Sequence, residues 1–345
     1  MKREYIGVDL HSTQIIVHRI IINDDGTVER RAVCIEAGSG AHTLARILSA
    51  RDARVFLVNP LQMAHIFLTA KKTDKVDARK LADALKRHLE SNDPGDALPE
   101  VYVADAEAQR LRMLVAQYQR ITADMTALKN NLYALFRQWL IPLEKGQVID
   151  DLETCLAHPR VPPKLTMIAR GEKERYGRLE SIKAEYRAAI EKLGVIRFRE
   201  PVSLLIGISG VSVFGAACIM SDIITIDRFK TCKQLASYLR AAPRVDASNQ
   251  TVHIGRLNKA GRKMAFEILL QSVNHLIDGN PHLLAFTQRT VGKSRNKIRA
   301  TVVARTIRQI FYILKNREPN RYLRIDCLRT KQKRMGKILQ TQDCA

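Results

Sequence analysis

The 345-residue sequence contains no pair of cysteines at C-x-x-C spacing; its six, at positions 34, 155, 218, 232, 327 and 344, are scattered. That argues against a zinc ribbon and a disulfide framework, and leaves the thiols as core or incidental residues. The segment after Met1-Lys-Arg-Glu-Tyr5 lacks the apolar core of a signal peptide, so a cytoplasmic location is expected. Charge is absent altogether from Pro201 to Ser221, a run long enough to raise the question of a membrane span. Gly207, Gly210 and Gly215, with serines between them, instead break it into two short helices around Gly207-Ile-Ser-Gly210, and its basic flanks have no sidedness. A helix-hairpin-helix is the expectation, with no membrane partner. Acids are scarce as well: 35 Asp+Glu stand against 57 Lys+Arg, a formal charge of +22. An excess of that size goes beyond what solubility needs and attracts phosphate polyanions, so nucleic acid is the expected partner. No base-reading motif accompanies the charge.

What is present is a folded chain, 46% hydrophobic and long enough for two or three domains. Tyr5-Ile-Gly-Val-Asp9 and Gln14 to Ile22 read as a strand hairpin closed by Asn-Asp-Asp-Gly. Ala32 to Glu36, Gly40 to Arg51 and Arg54 to Pro60 read as strand, helix and strand, a compact βαβ unit whose strands should be parallel. Asp9 and Glu36 then close their strands at the sheet edge where open α/β folds place chemistry. The next helix, Thr73 to His88, carries Asp74 and Asp77 in its first turn with Thr73 as its cap. Acids favour that position for the helix dipole alone. Four carboxylates around one cleft would, however, repel one another without cations, and one or two Mg2+ ions suit such a site.

Ile6-Gly-Val-Asp9, Cys34-Ile-Glu36-Ala, Val58-Asn-Pro60 and Lys72-Thr-Asp74-Lys-Val-Asp77-Ala-Arg79 resemble the four-acid signature of the insertion-sequence-110 transposases, which include the pilin-gene invertase and RNA-guided recombinases. The resemblance extends over nearly the whole chain. It implies a RuvC-like (ribonuclease-H-like) α/β domain over residues 1–100, with Asp9, Glu36, Asp74 and Asp77 as catalytic metal-binding acids, holding two Mg2+ ions. The pattern departs from the family at one place. Asp9 and Glu36 are only 27 positions apart, where family members carry a third strand and a helix in addition. The domain is therefore trimmed between its second and fourth strands. Removing a strand that runs up together with a helix that runs back leaves the chain at the same end of the sheet. Residues 23–31 then need to cross roughly 10 Å beneath the first strand, which nine residues can span. The trimming should expose a strand edge at residues 14–22.

Residues 101–200 show an α-helical coiled-coil pattern. Leu111, Leu114, Tyr118, Ile121, Met125, Leu128, Leu132, Leu135 and Trp139 alternate by threes and fours, and a second seam runs through Leu179, Ile182, Tyr186, Ala189, Leu193 and Ile196. The two seams are expected to pair, within one chain or across a dimer. By resemblance this region joins subunits.

Residues 201–318 read as a mainly α domain. The Gly207 to Gly210 turn would offer backbone N–H groups to a phosphate. Ala242-Pro243-Arg-Val-Asp-Ala-Ser248-Asn249, followed by Gly255-Arg-Leu-Asn-Lys259-Ala-Gly261, matches the family's serine transposase segment, with Asn249 where the family usually has glycine. The resemblance makes Ser248 the nucleophile of a covalent phosphoserine link, with Arg244, Arg256 and Lys259 offsetting phosphate charge. Residues 281–345 hold sixteen Lys/Arg against three Asp/Glu. There Lys293, Arg295, Lys297 and Arg299 are candidate backbone contacts, and residues 319–345 read as a basic, solvated tail that orders on nucleic acid.

The resulting expectation is a transposase that cuts and rejoins DNA as a homo-oligomer, a dimer or a dimer of dimers, with a structured noncoding guide RNA as partner. Two other readings fit the same residues. One is a Mg2+-dependent nuclease or junction resolvase that needs the acids but not Ser248. The other is a binding remnant that has lost cutting.

Overall fold

The computed structural model describes residues 2–11, 14–22, 28–63, 73–144, 146–248, 251–258, 260–290, 292 and 294–340. The chain divides into two compact units, Met1–Ala106 and Glu107–Ala345. The helical middle and the C-terminal third thus share one unit, where the sequence suggested separate regions meeting near residue 200.

Unit one is built on β1 (Lys2–Leu10), β2 (Ile15–Ile22), β3 (Val28–Glu36) and β4 (Arg54–Val58), in the order β2-β1-β3-β4. β1 pairs antiparallel with β2 and parallel with β3, and β4 continues parallel to β3. β3 thus adds on the far side of β1 from β2. Helix α1 (Ala41–Ser49) covers one face, where Ala41 and Ala45 meet Val8, Val33, Ile35 and Leu57. After α2 (Pro60–Met63), helix α3 (Asp74–Glu90) covers the other, where Leu81 and Leu85 meet Tyr5, Cys34, Phe56 and Val58. Strand alternation divides the side chains this way. The outer edge of β4 is closed by a bridge from Val58 to Glu100 and by the Val101 N–H donating to the Leu57 carbonyl. β2 forms the other edge, with Ile15 and Val17 exposed, as the trimming implied.

Unit two begins with α4 (Ala106–Arg137). Its predicted seam is buried at Leu111, Ile121, Met125, Leu128 and Leu132, half-buried at Leu114, Tyr118 and Leu135, and exposed at Trp139. The short helices α5 (Gln147–Asp150) and α6 (Leu152–Leu156) turn the chain into α7 (Pro163–Arg197). Leu132 and Phe136 then share a core with Leu165 and Ala169, while Lys183 lies over the Tyr118 ring, so α4 and α7 run antiparallel in one chain. The second seam behaves differently: Leu179, Tyr186, Ala189 and Leu193 are only half-buried, and Ile182 and Ile196 are exposed. α7 buries Ile190, Gly194 and Val195 instead. A methyl group on Gly194 would collide with Ala217, so the glycine permits close approach of the next element but one.

That element is α9 (Val213–Ile223), buried along its whole length and preceded by α8 (Arg199–Leu205). The uncharged run is thus two short helices around a turn, and among the described residues no helix is long and apolar enough to cross a membrane. Arg112 of α4 donates to the carbonyls of Ser221 and Asp222 at 2.9 and 3.2 Å, placing positive charge on the C-terminus of α9. The chain continues through α10 (Cys232–Tyr238), the antiparallel hairpin β5 (Pro243–Ser248) and β6 (Thr251–Leu257), α11 (Met264–Gln271), α12 (Val273–Asp278), α13 (Pro281–Gln288) and α14 (Arg295–Asn316).

The segment expected to be a solvated tail is largely helix α15 (Ile325–Gln340), which is a correction to the sequence reading. Two of its basic residues are engaged: Lys331 donates to the Ile206 and Ile208 carbonyls, and Arg334 donates twice to the buried Glu191 carboxylate. Leu328, Met335 and Ile338 supply an apolar stripe that the run of positive charge concealed.

Candidate metal centre and nucleic-acid contacts

The acids of unit one gather through strand register and a helix cap. Val8 pairs with Ile35, so Asp9 and Glu36 are the next residues on adjacent parallel strands, and alternation puts both on the α3 face. On that face β1 carries Gly7, where a methyl group would strike the Ala78 carbonyl oxygen and the Ala82 amide nitrogen. Glycine thus lets α3 lie directly on β1. The α3 N-terminus is fixed by Thr73, whose hydroxyl accepts from the Val76 N–H, as the sequence indicated.

Asp9, His11 and Asp74 each offer a ligand atom within 4.8 Å of the others. His11 Nε2 lies 3.2 Å from an Asp9 carboxylate oxygen and 3.4 Å from one of Asp74, and the Gln14 amide donates to Asp74 at 3.0 Å. Asp77, one helical turn on, is buried, and its Oδ1 has no hydrogen-bond partner. Glu36 and Asp77 fall outside the group of three within 4.8 Å, but carboxylates of Asp9 and Asp74 together with an orphaned, buried carboxylate oxygen one helical turn from Asp74 are donors of the kind that fit a hard divalent cation. Asp9, Asp74, Asp77 and, by register, Glu36 would hold it. Cys34 lies beneath Glu36 on the same strand and is not a candidate ligand: burial, with help from the charges of Glu100 and Glu36, pushes its thiol up to about 12.

His11 was not recognised from sequence. The signal was its separation of two from Asp9, just past the end of β1, the spacing that keeps side chains on one side of extended backbone.

The candidate nucleic-acid residues fall into three groups. Arg295 and Lys297 are exposed at the start of α14, and Arg244 is exposed at the start of β5. Ser248 ends β5, paired with Thr251 across the hairpin; its side chain, that of Arg256, and Lys259 and Lys293 entirely lie outside the described residues. The third group is turned inward, and here the sequence reading is corrected. Gly207 is buried, its N–H donates to the Leu204 carbonyl, and its own carbonyl accepts from Asn320 at 3.1 Å. Gly210 has φ +82° and packs so closely against His275 and Ser272 that a side chain would not fit. The turn therefore serves helix packing. Arg299 is half-buried and donates to the Leu270 carbonyl at 3.0 Å, tethering α14 to α11.

Acids gathered at the edge of an α/β sheet, in a strongly basic chain whose second unit is mostly helical, form a site that a divalent cation would fit and a surface charge that suits nucleic acid. Comparison with known proteins gives the chain's family. Residues 7–141 match the IS110 DEDD transposase domain and residues 202–288 the domain described as "Transposase IS116/IS110/IS902 family". The chain belongs to the IS110 family of transposases. It is similar to the Sinorhizobium fredii protein y4pF/y4sB, with 24% identity over 289 residues, covering 82% of this chain and 72% of the relative. It is also similar to a Pseudomonas aeruginosa protein named for family 20 transposases, with 24% identity over 250 residues, covering 71% of each.

Proposed function

We propose that this transposase cuts and rejoins DNA at the ends of its mobile element, using the acidic cluster of unit one together with Ser248. The observation that carries the reading is the cluster itself: Asp9, His11 and Asp74 offer ligand atoms within 4.8 Å of one another, and one helical turn on from Asp74 the buried Asp77 Oδ1 has no hydrogen-bond partner. In this reading unit one is a RuvC-like domain lacking its third strand, and the cation is Mg2+, which prefers oxygen donors such as these carboxylates. When bound, Mg2+ supplies Lewis-acid stabilisation of phosphoryl oxygens. Asp9, Glu36, Asp74 and Asp77 would hold it, and His11 and Gln14 would orient the Asp9 and Asp74 carboxylates that they touch. The Ser248 hydroxyl attacks a DNA phosphodiester: an Oγ–P bond forms, the bond to the leaving sugar oxygen breaks, and that oxygen takes up a proton. Rejoining reverses these changes with a new sugar hydroxyl as the attacking group. Arg244, Arg256 and Lys259, carried on or beside the same hairpin, offset the phosphate charge.

Separate catalytic parts suit an enzyme assembled as a dimer or dimer of dimers, and the exposed Ile182 and Ile196 of α7 supply apolar surface for that contact. A noncoding RNA of the element is the proposed guide to target and donor DNA. The test is to express the full chain with its flanking element DNA and Mg2+, then search by peptide mass spectrometry for a nucleotide on Ser248. An adduct that is absent in Ser248→Ala and in Asp74→Ala supports the reading. Cutting by Ser248→Ala would replace it with a hydrolytic nuclease, and binding without cutting would replace it with a non-catalytic role.

A further inference from the structure

Unit two contains a cleft of about 510 Å3 that no part of the cutting chemistry uses. Its walls are α13, α14 and residues 318–322, and its volume is in the range of about 300–1,000 Å3 typical of ligand sites. The floor is a chain of side-chain amides. Asn280 donates to Gln309 at 3.4 Å, Gln309 donates to Asn320 at 2.6 Å, and the buried Asn320 donates to the carbonyls of Gly207 and Tyr322. These bonds hold α13, α14 and the 318–322 segment in one arrangement, so the cleft is formed before anything enters it.

Two kinds of group line it. Tyr312 is half exposed, and Tyr322 meets His282 edge to face with ring centroids 5.7 Å apart, so three aromatic rings line the cleft. Arg305, Arg308 and Arg321 supply positive charge, opposed by Glu318 alone among the lining acids. Arg305 is stacked 3.9 Å over the Phe286 ring, which fixes its guanidinium at the rim. Among the described residues Arg308 and Arg321 make no ion pair, so their charge is available to a ligand.

Duplex nucleic acid would make little use of this combination. Its bases are stacked away, and contact with its backbone needs only an exposed basic face. Rings and guanidinium groups set in a concave site suit a base that has left its stack, with its phosphate held by arginine. We infer that the cleft between α13, α14 and residues 318–322 binds an unpaired nucleotide of a single-stranded nucleic acid, its base against Tyr312 and Tyr322 and its phosphate at Arg308 and Arg321. RNA and single-stranded DNA share this chemistry. The site does not depend on the cutting reaction, and its test reads binding alone.

The experiment uses the full chain with 5-iodouracil-substituted RNA, the matching single-stranded DNA, and the DNA duplex of the same sequence. Irradiation followed by peptide mass spectrometry should give adducts on Tyr312, Tyr322 or His282 with a single strand and none with the duplex; the strand that cross-links identifies the source. Tyr312→Ala should weaken binding of that strand about tenfold while leaving duplex affinity unchanged, and Tyr312→Phe should bind as the parent does. Tyr312 is exposed enough that both variants should keep the parent's melting temperature, which the same samples check. Cross-links confined to other residues, or a Tyr312→Ala loss equal for single strand and duplex, would overturn the inference.

Discussion

Gly7 of β1 lies directly beneath Ala78 of α3, with no room between them for a methyl group. The contact joins the two elements that carry the proposed acids: Asp9 follows Gly7 by two residues, and Asp77 immediately precedes Ala78. Gly7→Ala should therefore lift α3 from the sheet and separate the carboxylates as well as cost stability. Overpacking of this kind costs about 1–3 kcal/mol. In urea titrations the midpoint should fall by that equivalent, and the stabilisation of unit one by Mg2+ or Mn2+ should disappear. A destabilised variant that still gains full stability from the cation would show that the helix and strand can part without disturbing the site.

His11 gives a second prediction because it touches both Asp9 and Asp74. A cation that binds only the folded state raises stability by about 2.7 kcal/mol at a hundredfold excess over its Kd. Asp74→Asn and Asp77→Asn each remove the charge of a proposed ligand and should abolish that rise. His11→Ala removes an orienting contact and should weaken cation affinity by about 10–100-fold, the range for such supporting residues. Calorimetric titration with Mn2+ checks all three. Equal affinity in His11→Ala and the parent would leave the imidazole with a purely local role.

These residues differ in how plainly the sequence announced them. The strand ends that carry Asp9 and Glu36 and the capped helix turn that carries Asp74 and Asp77 were legible as local patterns, but the structure brings only Asp9 and Asp74 of the four into one group. His11 was not legible, since a histidine beyond a strand has many uses until the helix opposite it is placed. The inward roles of Gly207 and Arg299 were equally hidden: each depends on a partner far along the chain, Asn320 in one case and Leu270 in the other. The second heptad seam was misleading for a physical reason. Gly194 lets α9 approach α7 on a neighbouring face, and burial there outweighs the regular spacing of Leu179, Ile182 and Tyr186.

Helix α15 shows the same limit and supplies a third prediction. Arg334 donates to one Glu191 oxygen at 2.9 and 2.5 Å, and Arg187 approaches the other at 3.6 Å. Glu191 is 3% exposed, so losing Arg334 leaves a buried carboxylate with only its longer contact. Arg334→Ala should cost about 1–3 kcal/mol, less than for a fully buried pair because the arginine is itself half in water. Amide exchange should accelerate throughout residues 325–340. Unchanged exchange would mean that Met335 and Lys331 suffice to hold the helix.

Asp222 gives the pH prediction. Its carboxylate accepts from the Ala265 N–H at 2.9 Å and is buried at the end of α9. Burial raises its pKa, and the Ala265 bond together with Arg262, Arg112 and Arg228 offsets only part of the rise. A carboxyl that is harder to ionise in the folded state than in the unfolded one binds more protons when folded. Its stabilising contribution is therefore complete below the unfolded value of about 3.9 and is lost as pH rises through the folded value. Asp222→Asn keeps the acceptor for Ala265 but cannot ionise, so it should gain stability relative to the parent as pH rises from 4 to 7. Asp222→Ala removes the acceptor from a buried N–H and should lose about 1–3 kcal/mol at either pH. Urea midpoints at the two pH values decide the matter. If Asp222→Asn instead falls behind the parent at pH 7, attraction to the three arginines outweighs desolvation, and the charged form is the one this fold prefers.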